Sequence, residues 1–519
     1  MRSSDEKVVI NTTGDHVDEK QPAHDAASLG NKALARKILL KLDFRILPVL
    51  ALLFLCSFLD RTNVGNAKTY GLETSLKMTD HQYDTGLAVY YATYIARQPQ
   101  YLLYESRRQS LMVFCEYSEI PSNLVLKKIS PRIWLPALTI MWGIVTMCLG
   151  FVRNYAGFLV VRAVLGITEG GLLPGIASLK IVVLYLSGMY TRGEMALRLG
   201  LFYTAASLSG AFGGLLARGL TEIGKIGSQA KWSWIFIIEG ILTVVVGVLA
   251  YFLLPNSVDT ASFLKEDERV YARTRLHLDM PSRLAQDGSG DPHEAFSWSE
   301  VSRGIFDLAT WLSAVAYFGI LAGLYSFGLF LPTIIVELGY TANEAQLWSV
   351  IPYAVATVVT IAVSIVSDRL KLRGVVMLIV LLPAIVGYAV IANIGIQHPK
   401  VKYGMTMLMA TGMYASVPCV LVWNSNNSAG HYKRATTTAL QLMIANSGGF
   451  VATFIYPSKD KPQFHKGHTV VLGLLVFSWF TVALNVLNCW KVNKDKKSGK
   501  YDQYTGYADD RDPDFLMVL

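Results

Sequence analysis

Apolar residues in this chain gather into blocks of about twenty, the length a helix needs to cross the roughly 30 Å hydrocarbon core of a bilayer. They do not recur at the periods of a surface helix or a half-buried strand. The blocks predict membrane helices at 45–66, 83–126, 132–151, 155–187, 197–217, 233–254, 308–330, 346–366, 375–393, 403–423, 436–456 and 469–489, the second of them interrupted. A hydrophilic stretch from Pro255 to Arg303 divides these twelve spans six and six. The expected fold is an all-α membrane protein of twelve transmembrane helices in two pseudo-symmetric six-helix halves, an internal repeat inferred from hydropathy alone.

Composition agrees, with 52% hydrophobic and 16% charged residues. The formal charge of +9 does not point to nucleic acid, because the bases lie in short loops rather than on one soluble face. Taken alternately, the segments on the side of the termini hold 30 Lys and Arg and those on the other side 11, which places both termini in the cytoplasm. The first 45 residues lack a signal-type apolar core and mix acids with bases, so insertion is expected to start at the first span. The stretch from Asn31 to Phe44 reads as a cationic amphipathic helix lying along the inner leaflet. Cys56, Cys115, Cys148, Cys419 and Cys489 are isolated, with neither disulfide nor metal-ligand spacing. The chain thus divides into a cytoplasmic tail at 1–44, a first half at 45–254, a central loop at 255–303 with a helix near 262–278, a second half at 304–490 and a cytoplasmic tail at 491–519. No segment outside the spans is long enough for an independent soluble domain.

Charges inside the spans are the informative exceptions, since each costs roughly 2.5–3.5 kcal/mol at the bilayer centre unless it faces an interior cavity or partner. Arg162 and Glu169 lie seven residues apart in the fourth span, on one helix face. They read as a proton-carrying couple in which the approach of Arg162 modulates Glu169, or else as a structural pair. In the first span Asp60, Asn63 and Asn66 step by three along one stripe, while Arg61 points about 100° away. The planar guanidinium of Arg61 suits a carboxylate, because its fork donates two parallel hydrogen bonds; the alternative is that Asp60 and Arg61 neutralise each other or snorkel to the outer interface. Tyr90, Tyr91, Tyr94, Tyr203, Tyr325, Trp423, Asn427 and Asn446 are further candidates for a small planar or amphipathic anion. Glycines and serines crowd the fourth, fifth and eleventh spans, with Gly210 and Gly214 at a close-packing spacing and Pro174 a candidate kink. Neither a Walker motif nor a nucleophile elbow or metal cluster is legible, so no catalytic residue and no cofactor is assigned.

The stretches LDRTNVGNA (59–67), EIPSNLVLKK (119–128), RAVLGITEGGLLPG (162–175), WSWIFIIEG (232–240) and WNSNNSAGHYKRA (423–435) together resemble the anion:cation symporter branch of the major facilitator superfamily. The likeness extends to the fungal allantoate permease-like group, with its nicotinate, pantothenate and biotin permeases. That resemblance implies the major facilitator fold and proton-coupled uptake of a small organic anion at the plasma membrane, by a monomer whose partners are the anion, the proton and the lipid bilayer. It also implies roles for Arg61, Arg162 and Glu169, with Asp60 beside them in proton coupling. The seventh span, AYFGILAGLYSFG (316–328), lacks the cation of the vesicular glutamate branch, which disfavours glutamate-like dianions. Two departures stand out: about twenty extra residues at 96–118 interrupt the second span, and a shorter insertion at 177–182 lengthens the fourth. Lipid-exposed irregular backbone is not tolerated at membrane depth, so these read as translated intron sequence or as a lineage-specific loop. Competing expectations are a metabolite exporter and a transport-inactive sensor.

Overall fold

A computed structural model of the protein describes residues 32–96, 131–171, 185–186, 189–223, 229–278, 298–395, 397–506 and 509–519. The expectations for 97–118, for the insertion at 177–182, for Pro174 and for the central loop over 279–297 lie outside these residues.

The first half contains α1 (Lys32–Thr69), α2 (Asp80–Ala96), α3 (Pro131–Leu149), α4 (Tyr155–Gly171), α5 (Arg192–Thr221) and α6 (Ser233–Leu253). The connection carries α7 (Glu266–Leu278) and α8 (Trp298–Ile305). The second half contains α9 (Leu308–Glu337), α10 (Ala342–Leu370), α11 (Arg373–Asn393), α12 (Pro399–Asn426), α13 (His431–Asn446), α14 (Gly448–Phe454) and α15 (His465–Lys497). Among the described residues there is no strand, and nine helices are long and apolar enough to cross a membrane. The remaining expected spans are α2 and α4, described over 17 residues each, and the eleventh, which divides at Ser447 into α13 and α14.

Within the halves α3 packs on α6, α2 on α4, α11 on α12 and α9 on α15. The halves meet where α5 lies along α10, α1 along α9, and α14 against α2. In span numbers these contacts pair five with eight and two with eleven, which exchange under a swap of the halves and so give the repeat a structural basis. Small residues permit the approach: a Cβ on Gly214 would lie 2.6 Å from the Gln346 carbonyl oxygen of α10.

The cationic stretch before the first span is not a separate helix lying across the membrane surface. It is the opening of α1, whose 38 residues extend about 57 Å at 1.5 Å per residue, well beyond a bilayer core. Its charges meet protein groups that hold it upright. Arg198 Nε and Nη2 of α5 donate to Asp43 at 2.8 Å each, and Lys41 Nζ donates to Glu268 of α7 at 2.6 Å. Burial works against the Glu268 carboxylate, but hydrogen bonds from Lys41, the Lys265 amide and Lys37 outweigh it and hold its pKa at about 2. A depressed carboxylate stabilises the fold above its ordinary value near 4.5 and loses that contribution only as pH falls towards 2, so this latch stays ionised at neutral pH.

Arg303 of α8 pairs with Asp509 at 2.9 Å and also with Asp510 of the C-terminal segment. The opening of α1 and the C-terminal segment therefore lie on the face that carries α7 and α8. On the opposite face the halves are laced together. Tyr70 OH donates to Asn343 at 2.9 Å, Gln346 Nε2 to Thr69 at 3.2 Å, and Ser458 Oγ to Asp80 at 2.8 Å.

Gly65 fixes how closely that face can shut, because a Cβ there would stand 2.3 Å from the Leu329 carbonyl oxygen of α9. Gly65→Val forces the helices apart at a cost of about 1–3 kcal/mol, roughly tenfold or more in the population of this closed arrangement. The expected result is a shift of about that size away from the closed arrangement, measured by the distance between spin labels placed across that face in the purified variant.

Candidate functional site

Arg61 stands midway between the halves, on the face of α1 turned towards α2 and α4. Its Nε donates to Glu169 Oε1, and its Nη2 donates to Tyr94 OH at 3.2 Å. The guanidinium also lies over the Tyr94 and Phe58 rings, at 4.9 and 5.2 Å from their centroids. Glu169 receives two further donors, Ser57 Oγ at 2.8 Å and Tyr90 OH at 2.5 Å. The carboxylate is thus buried with one cation and two hydroxyl donors, the arrangement that makes an internal charge tolerable.

Arg162 does not take the partner expected for it. Seven residues of helix set it about 10.5 Å along the axis from Glu169, two turns away rather than the single turn at which helix neighbours pair. Arg61, from another helix, fills the position instead. Arg162 is 1% exposed, with Nε and Nη2 free of hydrogen-bond partners and its guanidinium near the faces of Tyr90 and Phe158.

The tyrosines extend this site across the gap between the halves. The Tyr91 ring lies 5.4 Å from that of Tyr325 on α9, and Tyr325 OH donates to Asn446 Oδ1 of α13 at 2.7 Å. Tyr203 of α5 stands near Tyr317 of α9. Tyr91, Tyr94, Tyr203, Tyr325 and Asn446 therefore gather around Arg61. A cleft of about 520 Å³, part of it open solvent, reaches Glu169 from the side of Ser57, Thr139 and Trp142.

Four expected residues stand elsewhere. Asn63 is fully buried, accepts from Asn66 Nδ2 at 3.3 Å, and faces Gly213 of α5. Trp423 and Asn427, at the last turn of α12, do not line the gap between the halves; they hold the C-terminal segment. Trp423 Nε1 donates to the Val518 carbonyl at 2.8 Å, while Asn427 donates to that carbonyl at 3.0 Å and accepts from the Val518 amide at 2.7 Å. Asp60 faces away from Arg61 towards α6, where Thr243 Oγ1 donates to it at 3.4 Å. There it meets a group the sequence reading passed over. Glu239 is 1% exposed in the middle of α6, and the rule that singled out Glu169, an acid inside an apolar block, would have found it.

Among the described residues no group of three or more His, Cys, Asp or Glu is placed to hold a metal ion. The family profile described as Major Facilitator Superfamily matches residues 117–453. An uncharacterized transporter of Schizosaccharomyces pombe is 34% identical, over 93% of this chain and 90% of its own length. The high-affinity nicotinic acid transporter of Saccharomyces cerevisiae is 30% identical over 99% of this chain and 89% of its own. In solved structures the fold is similar to a bacterial homolog of the human lysosomal transporter Spinster in its inward-facing, unoccupied conformation. That likeness has a TM-score of 0.56 at 16% identity, covering 88% of this chain and 97% of the other. The fold, the buried charges between its halves and these full-length likenesses agree: the chain is an integral, multi-pass membrane protein of the Major Facilitator Superfamily, a family of transporters and not of enzymes.

Proposed function

We propose that this protein carries a small organic monocarboxylate together with a proton, inward across the plasma membrane, by alternating access between its halves. The observation that carries the reading is the Arg61–Glu169 pair, closed by Ser57, Tyr90 and Tyr94 at the junction of the halves. A substrate carboxylate and Glu169 compete for one guanidinium. Protonation of Glu169 dissolves the ion pair and frees the Arg61 fork for the substrate, and release of the proton restores the pair and expels the anion. Tyr91, Tyr94, Tyr203, Tyr325 and Asn446 supply the walls, flat enough for an aromatic acid. Asp60 shares in proton coupling, and Arg162 holds the field around Glu169. The face laced by Tyr70, Asn343, Thr69 and Gln346 is the outer one, both termini are cytoplasmic, and the arrangement is closed to the outside. The protein works as a monomer.

Nicotinate is the first substrate to test, given the likeness to a nicotinic acid transporter. Labelled nicotinate is expected to accumulate more in whole cells at about pH 5 than at about pH 7. With one proton per anion, the difference is bounded at about 100-fold, tenfold per pH unit. Equal accumulation at both pH values, or greater loss of label from loaded cells at acid pH, would replace proton symport with an exporter.

A further inference from the structure

Glu239 of α6 and Asp60 of α1 are both 1% exposed. Both Glu239 oxygens and Asp60 Oδ1 have no hydrogen-bond partner. Thr243, one turn beyond Glu239 and on its face of α6, donates to Asp60 Oδ2 at 3.4 Å. From α3 Trp142 and Thr146 stand beside Asp60, their Nε1 and Oγ1 likewise unpartnered. The site is tightly built, since a Cβ on Gly240 would stand 2.6 Å from the Met147 amide nitrogen and 2.7 Å from the Gly143 carbonyl oxygen of α3.

The groups facing this pair that bear charge or titrate are few. Cys56 lies one turn before Asp60 on α1, and Glu169 of α4 acts from the far side of α1, where Arg61 is committed to it. From α3 come an indole and a hydroxyl, and from α6 only Glu239 itself. Two ionised carboxylates without a cation are not sustainable in a low-dielectric interior. The surroundings are unequal, however. The hydroxyls of Thr243 and Thr146 and the Trp142 indole are donors grouped at Asp60, which suits a carboxylate there, while Glu239 has no donor at all and suits a neutral carboxylic acid whose own O–H donates to Asp60.

We propose that Glu239 and Asp60 form a second proton-binding site, one carboxylic acid hydrogen-bonded to one carboxylate, separate from the Arg61–Glu169 pair. The proton enters as Glu239 O–H and leaves to water, with no bond to substrate made or broken. The site deepens the symport reading above by placing a proton where no guanidinium competes for it.

The test is infrared difference spectroscopy on purified full-length protein, following the carboxylic acid C=O band during pH titration in potassium buffer and again with sodium added. The wild type is expected to show a titrating band that Glu239→Gln abolishes and Glu169→Gln leaves in place. Should Glu239→Gln fail to fold, Asp60→Asn serves, because a shared proton requires the band to move when its partner changes. An unaltered band in Glu239→Gln, or an unmoved one in Asp60→Asn, would overturn the proposal. So would a band abolished by sodium at constant pH, which would make this a metal-cation site. The measurement needs no substrate, so uptake without acid stimulation would sink the symport reading and leave this one standing.

Discussion

Arg61→Ala is expected to lower kcat/KM for nicotinate uptake at least about 100-fold, because it removes two things at once. A charge-assisted hydrogen bond to a substrate carboxylate contributes about 1.5–3 kcal/mol, and a bidentate pair more. The same truncation leaves Glu169 buried without its cation, and breaking such a pair costs about 3–5 kcal/mol. The alanine variant therefore confounds binding with folding, and Arg61→Lys separates them. Lysine keeps the positive charge near Glu169 but loses the fork and the stacking on Phe58 and Tyr94. Its expected phenotype is wild-type abundance in the membrane with KM raised about tenfold or more, the equivalent of one lost charge-assisted bond. Glu169→Gln keeps the shape and removes the carboxylate that competes with the substrate for Arg61, so the acid stimulation carried by that pair is expected to be lost. An unchanged KM in Arg61→Lys would remove Arg61 from the anion site, and acid-stimulated uptake in Glu169→Gln would move the proton elsewhere.

Bilayer thickness made much of this architecture readable. It forces apolar blocks of about twenty residues, so the spans and their division at Pro255–Arg303 stood out, and an ion inside such a block announced itself at Arg61, Arg162 and Glu169. Partnership was not readable in the same way. The spacing of Arg162 and Glu169 on one helix suggested a couple, whereas the actual partner, Arg61, comes from a helix more than a hundred residues earlier, with a sequence separation of 108. Periodicity places residues on a face of their own helix and says nothing about what the next helix presents there. Trp423 and Asn427 failed for a related reason. Aromatic and amide groups at the end of a span look alike whether they meet a passage or a returning tail, and the tail that meets them is 91 to 95 residues further on. The opening of α1 was misjudged because its cationic face suits lipid headgroups as well as it suits a protein carboxylate, while the acid that binds it, Glu268, lies 227 residues away from Lys41.

That returning tail underlies the second large effect expected. From Asp509 to Leu519 the chain folds back over the ends of α8, α11, α12, α13 and α15. Lys496 Nζ donates to the carbonyls of Asp510, Asp512 and Phe515 at 2.6, 3.0 and 2.6 Å, Lys433 Nζ donates to Asp510 at 2.6 Å, and the Gly374 amide donates to the Leu519 carbonyl at 3.2 Å. Asp510, 7% exposed, is the anion between Arg303 and Lys433. Truncating it leaves Arg303 to Asp509 at 2.9 Å and Lys433 to the longer contact with Asp307 at 3.4 Å, a loss of about 1.5–3 kcal/mol for the charge-assisted bonds removed. Deleting the whole strap removes more contacts but opens those cations to water, which restores part of their solvation. Asp510→Ala is therefore expected to lower the thermal unfolding midpoint of the purified protein by roughly 3–12 °C at about 2–4 °C per kcal/mol. Asn427→Ala is expected to lower the midpoint as well, by leaving the Val518 amide and carbonyl short of partners, and to leave the KM for nicotinate unchanged. A raised KM with an unchanged midpoint would return Asn427 to the substrate passage and make the strap an ornament of the fold; a lowered midpoint at constant KM means that the strap binds the ends of five helices into the single body that alternating access requires one half to be.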